Sequence, residues 1–171
     1  MRTVRVAVFP YDAGWKAAFE DIRRELNAAL GSLAVGIEHV GSTSVEGLSA
    51  KPCIDIDVVI EDYSVFAEVV AKLASAGYVH EGDLGIKDRE AFDYSDKDHL
   101  MKHHLYVCPR YSAELRRHTV FRDFLRTHPA AAYEYGAVKE EAARLYPNDI
   151  DGYIKHKTPC IERLYAECGL L

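Results

Sequence analysis

The sequence predicts an α+β fold, in which an α/β core to about residue 110 is followed by a helical tail from about 111 to 171. Two observations carry this. Residues 53–60, Cys-Ile-Asp-Ile-Asp-Val-Val-Ile, form a β-branched run with period-2 alternation of apolar and acidic residues, the pattern of a strand. From Ser112 onward the apolar residues recur only at helical spacing. A chain of 171 residues is long enough to bury a real core, so both parts are assigned to one domain, 1–171, with the tail packed on the core.

The elements follow in order. Val4, Val6 and Val8 alternate with polar or small residues and predict a short extended segment. Asp12 is placed to cap a helix carrying Trp15, Phe19, Ile22, Leu26 and Leu30, which Gly31 ends. Residues 35–40 predict a strand running into Gly41-Ser42-Thr43-Ser44, and 53–60 the next strand. Tyr63 to Ala76 predicts a helix stopped by Gly77, and the polar, Gly/Asp-rich stretch 78–98 predicts irregular strands or a hairpin. His103 to Cys108 predicts a further strand closed by Pro109. The tail divides at His128-Pro129 and at Pro147-Asn148-Asp149 into three helices, the second spanning about 130–145 and the third running from Ile150 to about Ala166.

Composition narrows the function classes. The apolar fraction is 49% and the charged fraction 28%, ordinary for a globular protein. A net charge of −6 without any one-sign block argues against a binder of bulk DNA or RNA, which needs a clustered basic face. No apolar run approaches the roughly 20 residues of a membrane helix, and Met1 to Pro10 lacks the apolar stretch of a signal peptide. Cys53, Cys108, Cys160 and Cys168 are scattered, with no C-x-x-C pair, and are expected as small buried hydrophobes in a reducing cytoplasm.

The chemistry concentrates in one constellation. Val40-Gly41-Ser42 ends one strand, and twelve residues later comes Asp55-Ile56-Asp57-Val58. Glycine lets backbone N–H groups approach an anion closely. Two aspartates on one strand face lie roughly 6–7 Å apart at the Cα atoms, and their carboxylates can converge on Mg²⁺ or Mn²⁺, which take hard oxygen ligands. Asp55 and Asp57 are therefore the candidate metal ligands and catalytic residues, while Gly41, Ser42 and Ser44 are candidate phosphate contacts.

Apolar-Gly-Ser followed by alternating carboxylates is similar to the signature of the nucleotidyltransferase (polymerase-beta-like) fold. The longer stretch Gly36 to Asp57 resembles one subgroup, the GrpB family (UPF0157). Further segments extend the likeness along the chain: Pro10-Tyr11-Asp12 with Trp15, His104-Leu105, Phe121 to Arg126 with Pro129, Tyr135 with Lys139, and Tyr153 with Lys157. The resemblance implies a nucleotidyltransferase-like mixed sheet flanked by helices, with a C-terminal helical segment. It also implies a metal-dependent transferase using a nucleotide and a small-molecule acceptor. Members also occur fused to dephospho-CoA kinase domains, which suggests a coenzyme A pathway enzyme as partner.

The chain departs from that pattern at two points. Transferases of this fold place a third carboxylate on a later strand, but His103-His104-Leu105-Tyr106-Val107 contains no acid, and His104 stands in the place of one. Asp83, Asp88 and Asp93 are the acids nearby in sequence, Asp93 occupying a position where the family has a basic residue. A binding module for a nucleotide or phospho-metabolite, without catalysis, is the first alternative, and an interaction domain for a coenzyme A enzyme the second.

The remaining candidates are cations. Lys51 is placed to pair with an aspartate or a phosphate, and Arg89 to neutralise charge. Arg122 and Arg126, four residues apart, share a helix face that suits phosphate oxygens. Lys139 and Lys157 join them through the resemblance. His103 and His104 point to opposite faces of a strand, so with His99 they predict no shared zinc site, and His118, His128 and His156 have no evident partner. No G-x-S-x-G, G-x-G-x-x-G or Walker A motif is present.

Overall fold

The computed structural model describes residues 5–171, so Val4 of the expected entry segment lies outside it. Val6 and Val8 form no regular strand. This segment is held instead by a single bridge, Phe9 to Ala50, and by the Val6 N–H on the Pro147 carbonyl.

Five strands make one mixed sheet: β1 (Gly36–Val40), β2 (Ile54–Ile60), β3 (Tyr78–Gly82), β4 (Glu90–Tyr94) and β5 (His103–Pro109). Their order is β1-β2-β5-β4-β3, with β2 and β5 parallel and every other pair antiparallel. The parallel pair needs a crossover, which α2 (Phe66–Ser75) and the β3–β4 hairpin supply.

Helix α1 (Gly14–Leu30) begins where Asp12 Oδ1 accepts from the Gly14 N–H, and all five of its expected apolar residues are buried. They pack with Val69 and Leu73 of α2 against Ile54, Ile56, Val58, Ile60, Leu105 and Val107. Period-2 alternation turns Asp55, Asp57 and Val59 to the opposite face. There, Val59 and Cys108 pack on Leu115 of α3 (Ala113–Thr127).

The tail continues with α4 (Pro129–Leu145), which Pro129 opens at its first turn, and α5 (Ile150–Glu167), capped by Asp149. Leu125, Ala132, Tyr135 and Leu164 bury Val45 and Leu48 of the loop after the Gly-Ser turn. Pro159 sits inside α5 without ending it. No helix among the described residues is long and apolar enough to cross a membrane, and all four cysteines are free thiols.

Candidate functional site

The site forms where β1 ends beside the start of β2. Cross-strand register sets Val40 opposite Asp55, and the chain then turns sharply at Gly41, whose φ of 74° is left-handed. Only glycine fits here. A Cβ on Gly41 would lie 2.3 Å from Asp55 Oδ2, so the bare backbone makes the space that the carboxylate occupies. The turn locks itself, since Ser44 Oγ donates to the Gly41 carbonyl. Ser42 faces the other way and accepts from Lys139 Nζ at 2.7 Å.

Asp55 and Asp57 share a face but not an environment. Parallel register puts His104 directly beside Asp55, and His104 Nδ1 donates to Asp55 Oδ1 at 2.9 Å. That bond raises the imidazole pKa to about 10, making the pair a half-exposed imidazolium–carboxylate. His104 is thus the β5 residue in register with Asp55.

Asp57 is 0% exposed. Its Oδ2 accepts from His118 Nδ1 at 2.6 Å, and His118 Nε2 reaches Glu114 at 3.0 Å. Burial pushes the Asp57 carboxyl pKa upward despite the imidazole, and Oδ1 has no partner at all. His118 is therefore the missed member of the site. A helix pattern shows that His118 shares a face with Glu114 but not which strand residue that face meets.

A cavity of about 220 Å³ opens between core and tail. Ser42, Lys51, Cys53, Asp55, His104, Lys139 and Lys157 all line it. Lys139 is 3% exposed, and burial together with the nearby Lys157 charge lowers its pKa to about 7. Its ammonium lies 4.5 Å from the centre of the Tyr135 ring, and that of Lys157 4.8 Å from Tyr153. Burial and the Lys51 charge lower the Lys157 pKa as well. Among the described residues Lys97 is the one lysine ion-paired to a carboxylate, with Glu25. Lys51, Lys139 and Lys157 converge without one.

A second cavity, of about 250 Å³, shares Ser42, Asp55, Tyr135 and Lys157 with the first and adds Gly41, His118 and Arg122. Asp55 thus borders both cavities, whereas Asp57 lines neither.

The other predicted cations are engaged within the protein. Arg122 bonds Glu38, the His39 carbonyl and Asp123, and Arg126 chelates the Ser44 carbonyl, so both tie α3 to β1 and the turn. Arg89 stacks over Tyr106 at 4.3 Å, with its Nε buried and unpartnered, away from both cavities. Asp83 and Asp93 each accept a backbone N–H, from Gly85 and Tyr94, and neither they nor Asp88 line a cavity. His103 is buried on the opposite face, bonded to Tyr78 and the Met101 carbonyl.

This arrangement does not fit Mg²⁺ or Mn²⁺ held jointly by Asp55 and Asp57. Such ions take several oxygen ligands and keep water around them, while Asp57 is sealed under α3 and only Asp55 reaches open space.

Comparison with known proteins places the chain. The GrpB protein family profile matches residues 5–167. The chain belongs to the GrpB family. The glutamate-rich protein GrpB of Alkalihalophilus pseudofirmus is 30% identical over 167 residues, with 95% of each chain covered. A UPF0157 protein of Pseudomonas aeruginosa is 35% identical, over 94% of this chain and 66% of its own length. The crystal structure of conserved protein GrpB from Enterococcus faecalis superposes with a TM-score of 0.82 at 31% identity, covering 95% and 96% of the two chains.

A MgGTP-bound Cid1 poly(U) polymerase shares the fold at a TM-score of 0.51 and 11% identity, over 76% of this chain and 42% of that one. The GrpB chain therefore has the nucleotidyltransferase-like fold. It spans about half the length of some relatives: 46% of a Bacillus subtilis UPF0157 protein, and 45% of a dephospho-CoA kinase of Mycolicibacterium paratuberculosis, which is 28% identical to it.

Proposed function

We propose that the cavity between core and tail binds a phosphorylated small molecule of the nucleotide class. The observation that carries this is the convergence of Lys51, Lys139 and Lys157 on one cavity beside the Gly41-Ser42 turn, three cations against the single carboxylate of Asp55, which His104 already engages. Burying the Lys139 ammonium beside the half-buried Lys157 costs several kcal/mol unless an anion compensates the charge, and a phosphate chain supplies that charge with oxygens suited to their donors. At about 220 Å³ the cavity is smaller than the roughly 300–1,000 Å³ of whole-ligand sites, so it takes the phosphate-bearing end. The rest of the ligand is left to the mouth or to the second cavity.

Binding without transfer is the reading we adopt, because one carboxylate rather than two faces open space. Transfer to a small-molecule acceptor has one observation in its favour: Asp55 borders both cavities, where a donor and an acceptor would meet. Similarity to part of a dephospho-CoA kinase supports a place beside coenzyme A synthesis, and the free thiols support a cytoplasmic setting.

Calorimetry with nucleoside triphosphates and with phosphorylated coenzyme A precursors tests the proposal. Wild-type protein should bind at least one, and Lys139→Met should weaken that binding by at least about tenfold, the effect of losing a charge-assisted bond. Equal binding by both proteins would refute it. Release of pyrophosphate in the presence of an acceptor would favour the transfer reading instead.

A further inference from the structure

Cys53 is buried, as expected of a small hydrophobe, and it also lines the cavity. The sheet explains its position. Residues two apart on a strand share a face, so Cys53, just before β2, projects to the same side as Asp55. The parallel register adds His104 alongside Asp55. The backbone holds Cys53 in a tight turn, its N–H on the Lys51 carbonyl at 2.8 Å. One sulfur, one carboxylate oxygen and one imidazole nitrogen consequently lie within 4.8 Å of one another. All three residues line the cavity.

We infer that Cys53, Asp55 and His104 form a binding site for a borderline divalent cation of the zinc class, with its fourth position opening into the cavity. The donor set decides the metal. A thiolate and a neutral imidazole, formed as the Cys53 thiol and the His104 imidazolium each release a proton to solvent on binding, select zinc and its neighbours, whereas magnesium and calcium prefer oxygen throughout. Zinc bonds of roughly 2.0–2.3 Å require ligand atoms roughly 3.3–3.8 Å apart in a tetrahedron, which small side-chain adjustments reach from the observed cluster.

Three protein ligands and one open position is the pattern of zinc sites that bind water or substrate. Ser42, Lys139 and Lys157 line the same cavity, so a phosphate oxygen on the cation would have its remaining charge met by the lysines. The cluster needs neither Asp57 nor a third acid. The metal site stands independently of the phosphate reading, because its ligands are tested without any phosphate present.

The experiment is titration of metal-free protein with Zn²⁺ by calorimetry and with Co²⁺ by absorption. One Co²⁺ should bind per chain with a thiolate-to-metal charge-transfer band and the intense visible bands of four-coordination. Cys53→Ser should abolish the charge-transfer band, and Cys53→Ser and His104→Ala should each weaken Zn²⁺ binding by more than the roughly 10–100-fold of an outer-shell change. Cys108→Ser should change neither reading.

A measurement on unaltered protein guards against misfolded variants. Zn²⁺ should slow alkylation of Cys53, located by peptide mass spectrometry, and leave Cys160 and Cys168 unaffected. Co²⁺ bound without the thiolate band, Cys53 labelled equally fast with and without Zn²⁺, or displacement of Zn²⁺ by excess Mg²⁺ would each overturn the assignment.

Discussion

Lys139 shows how burial sets both the charge and the cost of a single residue. With its pKa at about 7 in the fold, against an ordinary value near 10.4, the amine is partly neutral where an unfolded chain would keep its proton. Between those values the unfolded state binds more protons, so stability rises with pH across the window, and the penalty is full below about pH 7. Lys139→Met removes the charge while keeping the apolar stem, and should stabilise the protein by about 1–2 kcal/mol. Urea denaturation at pH 6 and pH 9 checks this: the variant should gain most at pH 6 and show a flatter pH dependence. Affinity for an anion should move the opposite way in the wild type, weakening as the pH rises above 7 and Lys139 discharges.

At the scale of elements, α3 is the piece that closes the site. Its three inward polar residues each hold a different part of the core: His118 on Asp57 of β2, Arg122 on Glu38 and the His39 carbonyl of β1, and Arg126 on the turn at Ser44. Removing one partner of a buried ion pair costs roughly 3–5 kcal/mol, and Asp57 can relieve part of that by taking a proton. His118→Ala should therefore cost about 3 kcal/mol at pH 8 and less at pH 5. Losing the imidazole raises the Asp57 pKa further above its unfolded value, and the neutral acid costs less to bury than the carboxylate; denaturant midpoints across that range measure it. Pro159 in α5 tells a related story. A mid-helix proline frees a carbonyl and disfavours the helix, yet the burial of Tyr153 and Leu164 on either side carries α5 through it.

For the molecule as a whole, the cavity matters because its walls come from both layers. Asp55 belongs to the sheet and Ser42 to the turn at its edge, and Lys139, Tyr153 and Lys157 to the tail. A ligand spanning them binds only the assembled fold. At a hundredfold excess over its dissociation constant it adds about 2.7 kcal/mol, a shift of roughly 5–11 °C in melting temperature for a chain of this size. Scanning calorimetry with and without the ligand found above should show this as a single shifted transition. An unshifted melt in the presence of saturating ligand would mean that the ligand sits on one layer alone.

Much of this was legible in the chain itself. The alternation at 53–60, the apolar stripe from Trp15 to Leu30 and the breaks at Pro129 and Pro147 each follow from local periodicity and capping, so the elements, the shared face of Asp55 and Asp57, and the membership in the GrpB family could all be read without coordinates. What strand period cannot show is what covers a face. Asp55 and Asp57 are equivalent by alternation, but α3 descends on one and leaves the other open. His118 and Cys53 gave no signal because a decisive partner of each, Asp57 for His118 and His104 for Cys53, lies tens of residues away. For Arg122 and Arg126, helix spacing gives their common face but not the carboxylate and carbonyls which that face meets. Local sequence determined which groups each element presents. Only the packing of tail on sheet decided which are neutralised, which are buried, and which remain to meet a ligand.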